Sequence, residues 1–154
     1  MEKTDIHEII EKVIDNIRIV VEKRDGKLIK ILNAKQHVLV TDQVHLVNIL
    51  NNLLDNANKY SPGIPEITIA TRNTGTKLNI SISDNGIGMS KDVLNKIFEK
   101  FYRVPTGNLH DVKGFGLGLA YVKTMATALG AHIEVKSQPG KGSTFDLSFP
   151  LIYE

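Results

Sequence analysis

The chain has 154 residues, 42% of them apolar and 23% charged, with a formal net charge of +2 at pH 7 and no cysteine. That length fits one domain with a substantial core, and the missing cysteines exclude disulfides and thiolate metal sites and fit a reducing compartment. No apolar run approaches the roughly 18 residues that cross a bilayer, and the small, scattered positive charge leaves no nucleic-acid footprint.

Ile6, Ile9, Ile10, Val13, Ile14, Ile17, Val20 and Val21 recur at helical spacing, which predicts an amphipathic helix over roughly 5–24. Asp5 or Thr4 is its candidate N-cap, and Asp25-Gly26 is its stop. Two short strands are predicted next, at 27–32 and 37–40. Thr41-Asp42 then caps a second helix with Leu46, Ile49, Leu50, Leu53, Leu54 and Ala57 on one face, broken by Ser61-Pro62-Gly63. Alternating segments at 66–72 and 77–83 predict a hairpin with a four-residue loop. A short helix capped by Ser90 follows, and Ile97–Arg103 continues it or starts another. Residues 104–118 are rich in glycine and lack periodicity. A third helix is expected at 117–129, and a second hairpin pairs 132–136 with 143–149. The fold class predicted is a two-layer α/β (α+β) sandwich, a mixed, mostly antiparallel sheet with helices on one face.

Four segments carry polar groups or glycines where the fold alone does not call for them. In the second helix, Asn52 and Asn56 share a face and Lys59 lies one turn beyond Asn56. Amide oxygen is a hard, neutral ligand for Mg²⁺ and lysine a point charge for phosphate, although a solvated helix face has the same appearance. Asp84-Asn85-Gly86-Ile87-Gly88-Met89 ends a strand with a carboxylate and two glycines. It reads either as a tight turn or as a pocket whose acid accepts a hydrogen bond from an exocyclic amine. Gly114-Phe115-Gly116-Leu117-Gly118 precedes a helix, where backbone amides and the helix dipole attract anions; it matches neither the dinucleotide-binding nor the P-loop spacing. Phe98 and Phe101 look like hydrophobic anchors, followed by Arg103, whose guanidinium suits phosphate.

In their joint order, Asn-x-x-x-Asn-x-x-Lys-Tyr, Asp-x-Gly-x-Gly, Phe-x-x-Phe-Tyr-Arg, Gly-x-Gly-x-Gly and Gly-x-Gly-Ser-Thr resemble the N, G1, F, G2 and G3 boxes of sensor histidine kinases. The resemblance covers the chain from the first helix to Phe149 and implies the catalytic ATP-binding domain with the Bergerat (GHKL) fold. It implies that Asn56 coordinates Mg²⁺ with Asn52 assisting, that Lys59 contacts phosphate and that Tyr60 lies against adenine or ribose. Asp84 would accept from adenine N6, with Gly86 and Gly88 shaping the pocket wall. Gly114, Gly116 and Gly118 would hold the triphosphate beneath a lid from about Val104 to Phe115. Arg103 would meet the γ-phosphate, and Ser143 and Thr144 would support the adenine through a water. Phe115, where the family often has Thr, and Ala128-Leu129-Gly130, where it often has His-Gly-Gly, depart from the pattern without removing a proposed ligand.

One departure limits the activity. His7-Glu8-Ile9-Ile10 lacks the continuation of the family's phosphoacceptor box, and His7 reads as a helix-surface residue. The chain is therefore expected to be a single catalytic domain, 1–154, without a dimerisation and phosphoacceptor domain. It would bind Mg-ATP and donate the γ-phosphate to a histidine on the parent kinase's dimerisation domain, with a response regulator downstream. No nucleic acid and no membrane contact is expected of this segment, and its location is expected to be cytoplasmic, with an inner-membrane sensor as one form of the parent. A regulatory nucleotide-binding module without transfer, and a serine kinase of the anti-sigma type, are the competing readings; the Phe98–Arg103 segment opposes the latter, and intact Asn56, Lys59 and Arg103 oppose the former.

Overall fold

A computed structural model describes residues 1–100 and 116–151. The order is β1 (Glu2–Asp5), α1 (Ile6–Lys23), β2 (Lys27–Leu32), β3 (Val38–Thr41), α2 (Gln43–Lys59), β4 (Glu66–Thr74), β5 (Lys77–Asp84), α3 (Lys91–Leu94), α4 (Gly116–Ala128), β6 (His132–Ser137) and β7 (Ser143–Pro150). Five strands form one sheet in the order β2-β4-β5-β7-β6, and β1 pairs with β3 as a separate antiparallel ribbon. In the main sheet β2 runs parallel to β4, and the other pairs are antiparallel. This is the predicted mixed, mostly antiparallel sheet with helices on one face.

The core follows from two periodicities. Apolar residues alternate along β5, β7 and the first half of β4, and Ile67, Ile69, Leu78, Ile80, Leu147 and Phe149 are all buried. Ile6, Ile10, Ile14, Leu46, Leu50 and Leu54 supply the helical side of the same core. Asp5 caps α1 by accepting the His7 amide, and Asp42 caps α2 by accepting the His45 amide at 3.1 Å. α1 ends in a Schellman arrangement: Gly26 N–H reaches Val21 O at 3.0 Å and Asp25 N–H reaches Glu22 O at 2.9 Å, with Asp25 itself at φ 59°.

Several expectations need correction. The first hairpin closes with Gly75-Thr76 alone, because Asn73 and Thr74 remain in the ladder opposite Leu78 and Lys77. Gly75 takes φ 58°, which lets two residues suffice. The short helix α3 spans only Lys91–Leu94. Val20 is exposed although its spacing fits the apolar face of α1. His7 is no simple surface residue. Its ring stacks on His37 with centroids 3.8 Å apart, and Nε2 lies 2.8 Å from Thr71 Oγ1. His37 Nδ1 in turn lies 2.7 Å from Asp5 Oδ1. Burial and the neighbouring His37 both lower the His7 pKa. Lys96 to Lys100 is described as turns, and the remainder of the expected 97–103 segment, with residues 104–115, lies outside the described residues.

Gly26 joins α1 to β2 against the chain that enters β4. A Cβ there would stand 2.6 Å from both the Pro65 ring and the Pro65 carbonyl, and 2.8 Å from Val21. We expect Gly26→Ala to lower stability by about 1–3 kcal/mol, the range for overpacking, measured as a shift in urea midpoint with unchanged slope; an unaltered midpoint would show that this junction yields.

Candidate functional site

α2, the C-terminal end of β5, the start of β7 and the first turns of α4 surround a narrow cleft. Its lining is mainly apolar, from Tyr60, Ile87, Met89, Leu119 and Phe145, with three polar groups set into it: Asn56, Asp84 and Ser143. An apolar slot with few, fixed polar groups is the usual form of a small-molecule site.

Asp84 is the last residue of β5 and lies directly opposite Ser143, the first of β7. Its Oδ1 accepts the Gly86 amide at 2.8 Å and the Ser143 amide at 3.2 Å. Burial nevertheless pushes the Asp84 carboxyl up to about 6, because desolvation outweighs these two donors. Among the described residues nothing donates to Oδ2, so the carboxylate keeps an acceptor for a ligand.

The backbone around Asp84 needs glycine for steric reasons. A Cβ on Gly86 would run into the Tyr60 carbonyl, and one on Gly88, at φ 69°, would run into the Gln138 carbonyl. Gly142, at φ 75°, would collide with the carbonyl of Asp84 itself. Ser137 joins these turns: its Oγ accepts the Met89 amide and donates to Gly142 O, both at 2.8 Å. Sequence reading missed Ser137, since an isolated serine at a strand end gives no pattern. It also missed the tightness of Gly142.

Asn56 sits on the buried side of α2 with 5% of its surface exposed. Among the described residues neither its amide oxygen nor its amide nitrogen has a hydrogen-bond partner. Leaving such a group unpaired costs about 1–3 kcal/mol, which marks Asn56 as a group that awaits a ligand. Asn52, one turn earlier, lies outside this lining. Its Nδ2 donates to Asn48 O at 2.8 Å, and its Oδ1 would be 3.2 Å from a Cβ on Gly118. Gly118 thus lets the start of α4 approach α2 closely. Lys59 is paired with Asp55 at 2.9 Å, one turn back on α2, and does not line the cleft. Tyr60 does, and its carbonyl accepts the Ile87 amide at 3.0 Å.

Thr144 is directed away from the cleft. Successive residues of β7 alternate faces, so Ser143 and Phe145 line the cleft while Thr144 Oγ1 meets Ser83 Oγ at 2.9 Å. Gly116 begins α4 rather than preceding it. Arg103 and Gly114, with the expected lid, lie outside the described residues.

Residues 41–152 match the family described as histidine kinase-, DNA gyrase B-, and HSP90-like ATPases. The chain is 44% identical over 154 residues, 99% of its length, to the sensor protein RprX of Bacteroides fragilis, of which it spans 30%. Among solved structures, the nucleotide-free catalytic domain of the histidine kinase ThkA superimposes with a TM-score of 0.83 at 22% identity, covering 97% of this chain and 96% of that one. Full-length ShkA in complex with AMPPNP gives 0.84 at 23% identity, covering 99% of this chain and 31% of that one. The two likenesses establish the fold.

The raised Asp84 pKa has a consequence for stability. Between about 3.8 and about 6 the folded chain holds a proton that the unfolded chain releases, so stability falls as pH rises through that window. Asn at this position keeps an acceptor for the two amides without the charge. Without ligand, Asp84→Asn should therefore be more stable than wild type at pH 8, by about 3 kcal/mol from the size of the shift, and most of the gain should be gone at pH 4. Thermal melts at both pH values test this, and a pH-independent difference would remove the desolvation account.

Proposed function

The chain belongs to the histidine kinase-, DNA gyrase B-, and HSP90-like ATPase family, as a histidine kinase catalytic domain, and from that premise we propose that it binds Mg-ATP in the Asp84 cleft and donates the γ-phosphate to a histidine on a separate dimerisation domain. The observation that carries this reading is the pairing, in one apolar cleft, of a half-buried carboxylate with a spare oxygen and a buried amide without a partner among the described residues.

Each residue has a role that follows from its chemistry. Asp84 accepts the adenine exocyclic amine through Oδ2, while Gly86 and Ser143 hold Oδ1. Guanine presents a carbonyl oxygen at the corresponding position, which would oppose the carboxylate, so the acid selects adenine. Ile87, Met89, Leu119 and Phe145 take the flat base out of water. The unpartnered oxygen of Asn56 fits a hard cation, with Asn52 beside it. Bound there, Mg²⁺ would supply neutralisation of charge on the phosphate oxygens. Lys59 contacts phosphate by exchanging its pairing with Asp55. Gly114, Gly116 and Gly118 receive the phosphates at the start of α4, whose amides and dipole favour anions. Arg103 stabilises the transferring group. The acceptor imidazole forms the N–P bond as the bond to the bridging oxygen breaks and ADP leaves. Thr144 has no place in this scheme.

This chain spans less than a third of RprX, and we place the acceptor histidine, its acidic neighbour and the response regulator outside residues 1–154. His7 is engaged with His37 and Thr71 inside the fold, which does not suit a phosphoacceptor. The kinship with sensor proteins favours transfer over a purely regulatory module.

Calorimetry should show Mg-ATP binding in the micromolar to millimolar range, lost in Asp84→Ala; unaltered affinity in that variant would defeat the adenine assignment. Asn56→Ala should reduce the gain in affinity that Mg²⁺ confers while leaving adenosine binding in place. Arg103→Ala should still bind nucleotide but fail to label an added dimerisation domain from γ-labelled ATP; equal labelling with and without Arg103 would refute its role.

A further inference from the structure

Tyr60, which lines the cleft, belongs to the turn that follows α2, and a residue from outside every motif grips that turn. Arg24 is the C-cap residue of α1, fixed in direction by the Schellman arrangement at Asp25 and Gly26. Its guanidinium donates through Nη1 to the carbonyl of Asn58, at 2.5 Å, and to Asn58 Oδ1 at 3.0 Å. Through Nη2 it donates to the carbonyl of Ser61 and to that of Gly63, the latter at 3.0 Å. Four acceptors spread over six residues of turn thus share one planar cation, and among the described residues no carboxylate pairs with it. The acceptors include the Asn58 carbonyl in the last turn of α2, the negative end of its dipole, where a cation belongs.

We propose that Arg24 is a positioning residue for the base-binding half of the cleft, holding the 58–63 turn so that Tyr60 and, through it, Asp84 keep their places. The proposal rests on the ATP-site reading of the cleft. Tyr60 lies between the two gripped residues Asn58 and Ser61, both almost wholly buried. The Tyr60 carbonyl accepts the Ile87 amide at 3.0 Å and occupies the space a Gly86 side chain would need. Gly86 then donates its amide to Asp84 Oδ1 at 2.8 Å. A shift of the turn therefore passes through one carbonyl into the backbone that orients the carboxylate. The downstream end is tied independently: Asn85 Oδ1 accepts the Glu66 amide at 2.9 Å, and Asn85 Nδ2 donates to Ile64 O at 3.1 Å. Arg24 holds the upstream end. Lysine cannot replace it, because an ammonium presents its donors from a single point whereas the fork reaches acceptors on both sides.

Of the phosphate half, Asn56 and Gly118 do not lie on this route, since Asn56 sits on the buried side of α2 and Gly118 packs against Asn52; Lys59 borders the gripped turn but is held on α2 by Asp55. Loss of Arg24 should therefore weaken base recognition more than phosphate recognition. In the full chain, Arg24→Gln and Arg24→Lys should each bind ADP and ATP about tenfold more weakly, the scale of a small misplacement of a binding group. The ATP-to-ADP affinity ratio should stay within about twofold of wild type, and the preference for ATP over GTP should narrow. Should Arg24→Gln fail to fold, Arg24→Lys, which keeps the stem and the charge, is the variant to read. Folded variants with wild-type affinity and wild-type discrimination would overturn the proposal by leaving Arg24 a purely stabilising cap, and so would a loss confined to ATP. Absence of nucleotide binding by the wild-type chain would instead overturn the ATP-site reading itself.

Discussion

The antiparallel register between β5 and β7 governs what the cleft can do. It sets Asp84 opposite Ser143, so that the last amide of the ladder turns to the side chain and holds one carboxylate oxygen. A register slip of one residue would send every side chain of β7 to the other face: Thr144 would enter the cleft, and Phe145 and Leu147 would leave the core. The core therefore enforces the geometry of the site, and the alternation of apolar residues that buries Phe149 also decides which hydroxyl the ligand meets.

The site keeps two groups that the apolar core disfavours. Asp84 is held in surroundings that oppose its charge, and Asn56 has an amide with nothing to bond among the described residues. Both are unfavourable without a partner, and under the proposed reading an amine would satisfy the one and a hard cation the other. Affinity would then be stored as incomplete solvation, a common exchange of stability for function. The glycines act differently. Gly86, Gly88 and Gly142 let three carbonyls approach backbone directly, and the result is a rigid wall.

Much of the fold could be read from the chain alone, because α1, α2, β4, β5 and β7 carry long, unambiguous periodicities. The failures have particular causes. β1 consists of Glu2, Lys3, Thr4 and Asp5, with no apolar residue to betray a strand, and its existence depends on pairing with β3. The turn at Gly75 is shorter than expected because polar Asn73 and Thr74 pair in the ladder. Of the residues that motif order singles out, Asp84, Tyr60, Asn56 and Gly88 meet at one cleft, with Gly86 beside it. Thr144 misled because a motif names residues without fixing which face of a strand they occupy. Arg24 carried no signal at all, since its partners are main-chain carbonyls that any sequence would offer.

The seam between β5 and β7 also bears on how the molecule comes together. The β4–β5 and β6–β7 hairpins join neighbours in the chain and can close early, whereas the bond from Ser143 to Asp84 spans 59 residues and must wait for a long loop to be gathered in. Because the cleft lies on that seam, it belongs to the last contacts formed. A ligand held by the cleft recognises only chains in which that seam has closed, and so adds its binding energy to the completed fold alone.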